Sequence, residues 1–175
     1  MKFTKIKYFA LLSVFALGLG IAPNPATADD PAFISFGVGH YDWNRKNDEG
    51  VEFRAEYRHD EKYLGFIKPF VAASLTSNGS GFIGAGILAD IYLGRRIVAT
   101  PSFAPHYYNK GGSDFDLGHA IEFRSQFELA YRMDDRSRIG IAISHYSNNG
   151  YGDRNPGSET TTLYYSMPID SVFGN

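Results

Sequence analysis

The sequence predicts an all-β fold: a single eight-stranded antiparallel transmembrane β-barrel of the outer-membrane type. Three observations carry this expectation. Beyond the first 28 residues no helical period of 3.6 persists, whereas alternation with period two recurs in run after run. The runs are about ten residues long, which suits a tilted strand crossing a bilayer's hydrocarbon core. The connections alternate between longer and shorter, as in barrels with extended outer loops and tight periplasmic turns.

The amino-terminal segment stands apart. Met1 to Ala28 has a basic start (Lys2, Lys5, Lys7), an apolar run from Tyr8 to Ala22, and an A-x-A pattern at Ala26-Thr27-Ala28. It reads as a secretory signal peptide removed after Ala28, since the apolar run is short for a membrane span of roughly 20 residues. Residues 29–175 then form one barrel domain. Removing three of the 17 basic residues leaves 14 against 19 acidic ones, a net charge near −5 that gives no support for a nucleic-acid partner. With no cysteine in an exported chain, stability must come from burial or sheet closure. No metal motif is present. Asp42 to Glu49 faintly resembles a calcium loop but lacks the required glycine, and reads as a solvated loop.

The strands follow in order. Ala32, Ile34, Phe36 and Val38 alternate with Phe33, Ser35, Gly37 and Gly39. Val51, Phe53, Ala55 and Tyr57 then oppose Glu52, Arg54, Glu56 and Arg58. A short turn at 59–61 leads to a third run, Tyr63 to Leu75, which is irregular because it contains Pro69 and Lys68. After the Thr76–Ser80 loop, Ile83, Ala85, Ile87, Ala89, Ile91 and Leu93 face away from Gly84, Gly86 and Asp90. A turn at 94–96 precedes Ile97 to Tyr107, and the loop 109–118 precedes Ile121 to Arg132. A turn at 133–136 precedes Ile139 to Ser147, and the loop 148–158 precedes a last run ending at Ile169. The rival fold is a soluble lipocalin-like barrel with its apolar face inward. Closely spaced opposite charges on the polar faces (Glu52/Arg54/Glu56/Arg58 and Glu122/Arg124/Glu128) instead suit a narrow lumen where they pair. An eight-strand interior leaves no room for a porin-like channel.

The last two strands carry a contradiction. Side chains two apart share a face. The face of Ile139, Ile141 and Ile143 continues as His145 and Ser147. The face of Thr161, Leu163, Tyr165 and Met167 begins with Glu159. A histidine, a serine and a carboxylate thus sit on apolar faces of consecutive strands, near the ends joined by a loop. The strand climbs about 20 Å to Ser147, which puts the group at the outer rim, where a polar side chain costs little. His145 can take the proton of Ser147, and Glu159 can orient the imidazole. Backbone N–H groups from Asn148 to Gly150 can hold an oxyanion. The plain alternative is an interfacial cluster without chemistry. Ser144, Ser166 and His106 fall on the inward face, Ser158 lies in the loop, and His40, His59 and His119 lie at solvated strand ends.

Three stretches bring a family into view: His145-Tyr146-Ser147-Asn148-Asn149-Gly150, Asn155-Pro156-Gly157-Ser158-Glu159 and Leu163-Tyr164-Tyr165-Ser166-Met167-Pro168-Ile169. Together they resemble the PagL-type lipid A 3-O-deacylases, outer-membrane barrels with a lipid-facing Ser-His-Glu triad. The resemblance is specific from Ile141 to Ile169 and rests on architecture upstream. It implies that Ser147 is the nucleophile, His145 the base and Glu159 the orienting acid, with Asn148 and Gly150 flanking the oxyanion site. It also implies hydrolysis of the 3-position acyl ester of lipid A in the outer membrane, without metal or cofactor. One departure is the continuation past Ile169 through Asp-Ser-Val-Phe-Gly-Asn. The apolar faces suit lipid and a homodimer contact equally. A non-enzymatic barrel, an adhesin or structural protein, is the alternative from another class.

Overall fold

The computed structural model describes residues 30–173, so the expected signal peptide lies outside the described residues. Nine strand segments run in order: β1 (Phe33–Tyr41), β2 (Gly50–Arg58), β3 (Ile67–Thr76), β4 (Gly81–Ala89), β5 (Ile91–Leu93), β6 (Ile97–Asn109), β7 (Ile121–Arg132), β8 (Arg138–Ser147) and β9 (Ser158–Pro168). Every pairing is antiparallel, β1 pairs with β9, and the pairing of β4 with β6 closes the sheet. Closure leaves no unpaired edge, which a lipid environment demands.

The strand count is eight, because β4 and β5 are one barrel strand interrupted at Asp90. Both pair with β6 in a single register, with Leu88 opposite Ser102 and Ile91 opposite Ala99. In that register Pro105 faces Ala85 and Pro101 faces Ala89, the places where the ladder lapses. Proline has no N–H to donate, while the β7 side of β6 stays paired throughout. The glycines of β4 serve the same contact. A Cβ on Gly86 would lie 2.1 Å from the Phe103 carbonyl oxygen, and one on Gly84 would meet the His106 ring at 2.6 Å.

The two faces of the sheet invert the order of a water-soluble protein. Outward stand Phe36, Val38, Phe53, Val71, Leu75, Ile83, Phe127, Ile139, Ile141, Ile143 and Leu163, all exposed. Inward and buried stand Glu52, Arg54, Glu56, Arg58, Lys68, Arg124, Glu128 and Arg138. The inward charges pair: Arg54 with Glu52 at 2.7 Å, Arg58 with Glu56 at 2.9 Å and Glu128 at 2.7 Å, and Arg124 with Glu56 at 2.8 Å. An apolar belt around a charged interior is the solution for lipid outside, and it rules out the lipocalin-like rival. Hydrophobic packing of Tyr41, Phe82, Tyr108, Leu117 and Tyr146 fills the end bearing the loops that follow β1, β3, β6 and β8. At the opposite end Arg138 binds Asp30 and Asp90 and lies over the Phe33 ring.

This inversion gives a direct test. Arginine in place of Ile141, which is 55% exposed near the middle of β8, is expected to destabilise the barrel by about 2–4 kcal/mol in lipid vesicles. Urea unfolding in those vesicles measures it. A loss within ~0.5 kcal/mol, as for an ordinary surface site, would refute a lipid-facing β8.

Four sequence expectations change. The third strand begins at Ile67, because Tyr63 to Ile67 form a tight turn in which Leu64 and Gly65 both have positive φ, 51° and 82°. The connection 59–66 is therefore longer than 77–80, and the simple alternation of loop lengths fails there. Ile169 opens a short helix, α1 (Ile169–Phe173), and does not continue the final strand. The 42–49 loop is built, not merely solvated. The buried carboxylate of Asp42 accepts the N–H groups of Asn47 at 2.6 Å and Asp48 at 2.8 Å.

Candidate active site

The outer face of β8 is set by what its inner face packs against. Gly140, Ala142, Ser144 and Tyr146 point inward and are buried or closely packed. Tyr146 stacks on Phe82 with ring centroids 4.4 Å apart, and its hydroxyl donates to Glu52 at 3.3 Å. With Tyr146 locked inside, His145 and Ser147 must face out. On β9, Ser158, Thr160, Thr162 and Tyr164 are the buried set, so Glu159 faces out too.

Register then joins the pair. His145 stands directly opposite Glu159 across β8 and β9, and its Nδ1 lies 3.0 Å from Glu159 Oε1. A carboxylate on Nδ1 fixes that nitrogen as the donor, which leaves Nε2 as the ring's basic site. Glu159 has a second partner. Arg45, from the loop between β1 and β2, donates Nε to Oε1 and Oε2 at 3.3 and 3.2 Å and a terminal nitrogen to Oε1 at 3.1 Å.

Ser147 is held by the loop that follows it. Asn155 Nδ2 donates to Ser147 Oγ at 2.9 Å, and the Asn149 N–H donates to it at 3.1 Å. Asn155 Oδ1 accepts the Asn148 N–H at 3.1 Å and the Ser147 hydroxyl at 3.3 Å, which identifies Nδ2 as the end that donates to the serine oxygen. The serine oxygen thus receives two donors, an arrangement that favours negative charge on it. In this conformation the hydroxyl bonds within its loop; His145 shares its face two residues away.

Asn148 and Gly150 do not present free N–H groups. Asn148 is buried and donates its amide to the Leu117 and Arg154 carbonyls at 3.1 and 2.9 Å, tying the 110–120 loop to its own. Gly150, at φ 80°, donates its N–H to Asn148 Oδ1 at 2.9 Å. Both build the loop, while Asn155 carries the donor nearest Ser147 Oγ. Sequence reasoning missed Asn155 and Arg45, since neither lies on a strand face; the Asn155-Pro-Gly turn was the only signal. Except for Ser158, the other histidines and serines stand as expected. His106 is buried with Nδ1 near the Ala104 carbonyl at 3.1 Å, Ser144 and Ser166 are buried inward, and His40 is exposed beside Glu49. Ser158 opens β9 facing inward, not in the loop.

A surface groove of about 430 Å³ opens beside His145 and Ser147, lined also by Phe103, Phe123, Ser125, Asn149 and Tyr151. It lies over β6 and β7, on the side of β8 away from β9. Phe103 and Phe123 stack with centroids 5.9 Å apart, and Tyr151 meets Phe123 edge-on at 5.8 Å. An apolar wall ending at a serine and a histidine suits a chain with a polar head.

Fold and rim together define a small outer-membrane-type β-barrel whose polar constellation lies on its lipid-facing wall. The chain belongs to the lipid A 3-O-deacylase (PagL) family, whose sequence profile matches residues 32–168. It is 26% identical over 106 residues to the lipid A deacylase PagL of Pseudomonas aeruginosa, covering 61% of this chain and 53% of that protein. It is 31% identical over 85 residues to the lipid A deacylase PagL of Bordetella bronchiseptica, covering 49% of this chain and 39% of that protein. The matched segments therefore span about half or less of those relatives. The crystal structure of the outer membrane enzyme PagL has the same fold, with a TM-score of 0.62 and 18% identity over 79% of this chain and 100% of that one.

Proposed function

We propose that this protein is a serine esterase of the outer membrane that hydrolyses the 3-position acyl ester of lipid A. The observation that carries the reading is the directly opposed His145–Glu159 pair, with Ser147 on the same lipid-facing strand beside an apolar groove. The acyl chain lies along Phe103 and Phe123 with its ester at Ser147. As Oγ attacks the carbonyl carbon, His145 Nε2 takes the hydroxyl proton, and Glu159 stabilises the imidazolium. Asn155 Nδ2, released from Oγ as the C–O bond forms, is the side-chain donor positioned for the oxyanion. Collapse expels the sugar oxygen, which takes the proton from His145 and leaves an acyl-enzyme. Water, deprotonated by His145, then releases the fatty acid and restores Ser147.

The substrate is the outer leaflet's own lipid, which reaches the rim by lateral diffusion. Family membership and the 26% and 31% identical relatives support lipid A as that lipid. Mass spectrometry of lipid A incubated with refolded protein in detergent tests this. The expected product has lost one acyl chain. An unchanged mass, with a preparation that is folded by its heat-modifiable electrophoretic mobility, would favour a non-enzymatic barrel.

A further inference from the structure

Arg45 lies 114 positions from Glu159 in sequence, yet among the described residues it makes the most extensive side-chain contact with that carboxylate. Its three donor contacts reach both oxygens, and one oxygen is shared with His145 Nδ1. The loop that presents it is preorganised by the Asp42 carboxylate, by the Lys46 N–H to Asp42 carbonyl bond at 2.9 Å, and by Asn78 donating to Asp48 Oδ1 at 2.8 Å. Gly157 makes room for the arrangement. A Cβ there would lie 3.2 Å from both the Arg45 terminal nitrogen and His145 Cε1, at a φ of 65°.

We infer that Arg45 is a positioning residue, a fourth member of the His145–Glu159–Ser147 array that clamps Glu159 in the rotamer that orients the imidazole. The inference rests on the esterase reading for its consequence, not for its geometry. Its physical basis is the location of Glu159. A carboxylate on a lipid-facing wall, with its side chain only 16% exposed, has little water to neutralise it and would swing toward solvent. The planar guanidinium supplies a fixed counter-charge and holds both oxygens, so Oε1 stays aimed at Nδ1. The outer loop between β1 and β2 thereby becomes part of the machinery on β8 and β9.

The test uses refolded full-length protein in detergent: wild type, Arg45→Ala, Arg45→Lys, Glu159→Gln, the Arg45→Ala/Glu159→Gln pair, and Ser147→Ala as the inactive reference. Arg45→Ala is expected to lower kcat about 10- to 100-fold, as small misplacements of a catalytic group do. KM should stay near wild type, and Arg45→Lys should recover part of the rate. The double variant should be no slower than Glu159→Gln alone, because Arg45 acts through that carboxylate. In ¹⁵N-labelled protein, the His145 Nδ1–H resonance should be sharp in wild type and broadened or lost in Arg45→Ala. A wild-type kcat in Arg45→Ala, or a loss that adds in full to that of Glu159→Gln, would overturn the inference. If the wild type itself releases no acyl chain, the esterase reading fails, and the imidazole resonance alone decides the role of Arg45. An unchanged resonance in Arg45→Ala would then sink it.

Discussion

Replacing Ser147 with alanine is expected to cut release of the acyl chain by roughly 10⁴- to 10⁶-fold, the range for losing a nucleophile whose base remains. The barrel should survive. Ser147 is only half-buried, at the end of β8, and the strands are held by ladders that the substitution does not touch. What is lost locally is three hydrogen bonds: two to Oγ, from Asn155 and Asn149, and the one the hydroxyl donates to Asn155 Oδ1. These order the loop and leave the interior alone. His145→Ala should match Ser147→Ala within a few-fold, and the double variant should be no slower, since groups acting as one unit do not add. Glu159→Gln should cost less, because the imidazole keeps its place on β8 and a neutral partner. Lipid A mass spectra over a time course give all three rates, and heat-modifiable mobility verifies folding in each. A Ser147→Ala protein with wild-type rate would remove Ser147 from the chemistry.

How much of this was legible in the sequence depended on whether the deciding interaction was local. The faces of β8 and β9 were readable because alternation is a property of the strand itself. Three isoleucines followed by His145 and Ser147 on one face need no tertiary information. The pairing of His145 with Glu159 was within reach because β8 and β9 are consecutive and joined by one loop. Contacts between distant strands were not. The break at Asp90 falls beside Pro101 across the sheet, a neighbour that nothing in Gly81 to Leu93 announces. Lys68 looked misplaced among apolar neighbours until Asp90 appeared 3.1 Å from its Nζ in the closed barrel. Arg45 stood in a polar loop that looked merely solvated. The roles within the 148–157 loop were also hidden. A turn's sequence shows which residues tolerate positive φ, but not which N–H groups are already spent on holding the turn.

Removing the carboxylate of Glu56 is the change expected to damage the fold most. Glu56 sits on β2 facing inward and is buried. It pairs with Arg124 at 2.8 Å and Arg58 at 2.9 Å, and the Tyr164 hydroxyl donates to it at 3.0 Å. Its partners come from β2, β7 and β9, so one carboxylate bridges opposite walls of the barrel. Arg58 keeps Glu128 when Glu56 is gone, but Arg124 is left over the Phe70 ring without its Glu56 counter-charge. Stranding a buried charge typically costs about 3–5 kcal/mol, far more than an intact pair contributes against an apolar substitute. Glu56→Ala should therefore lose about that much in urea unfolding from lipid vesicles. Changing Glu56 and Arg124 together to leucine should recover part of the loss, since no charge is then stranded. The contrast separates two accounts of the interior. If the single variant is nearly as stable as wild type, water reaches Arg124 and the lumen is wetter than its packing implies. If the double variant is as unstable as the single one, then the shape of the ion pair, not its charge balance, holds the walls together.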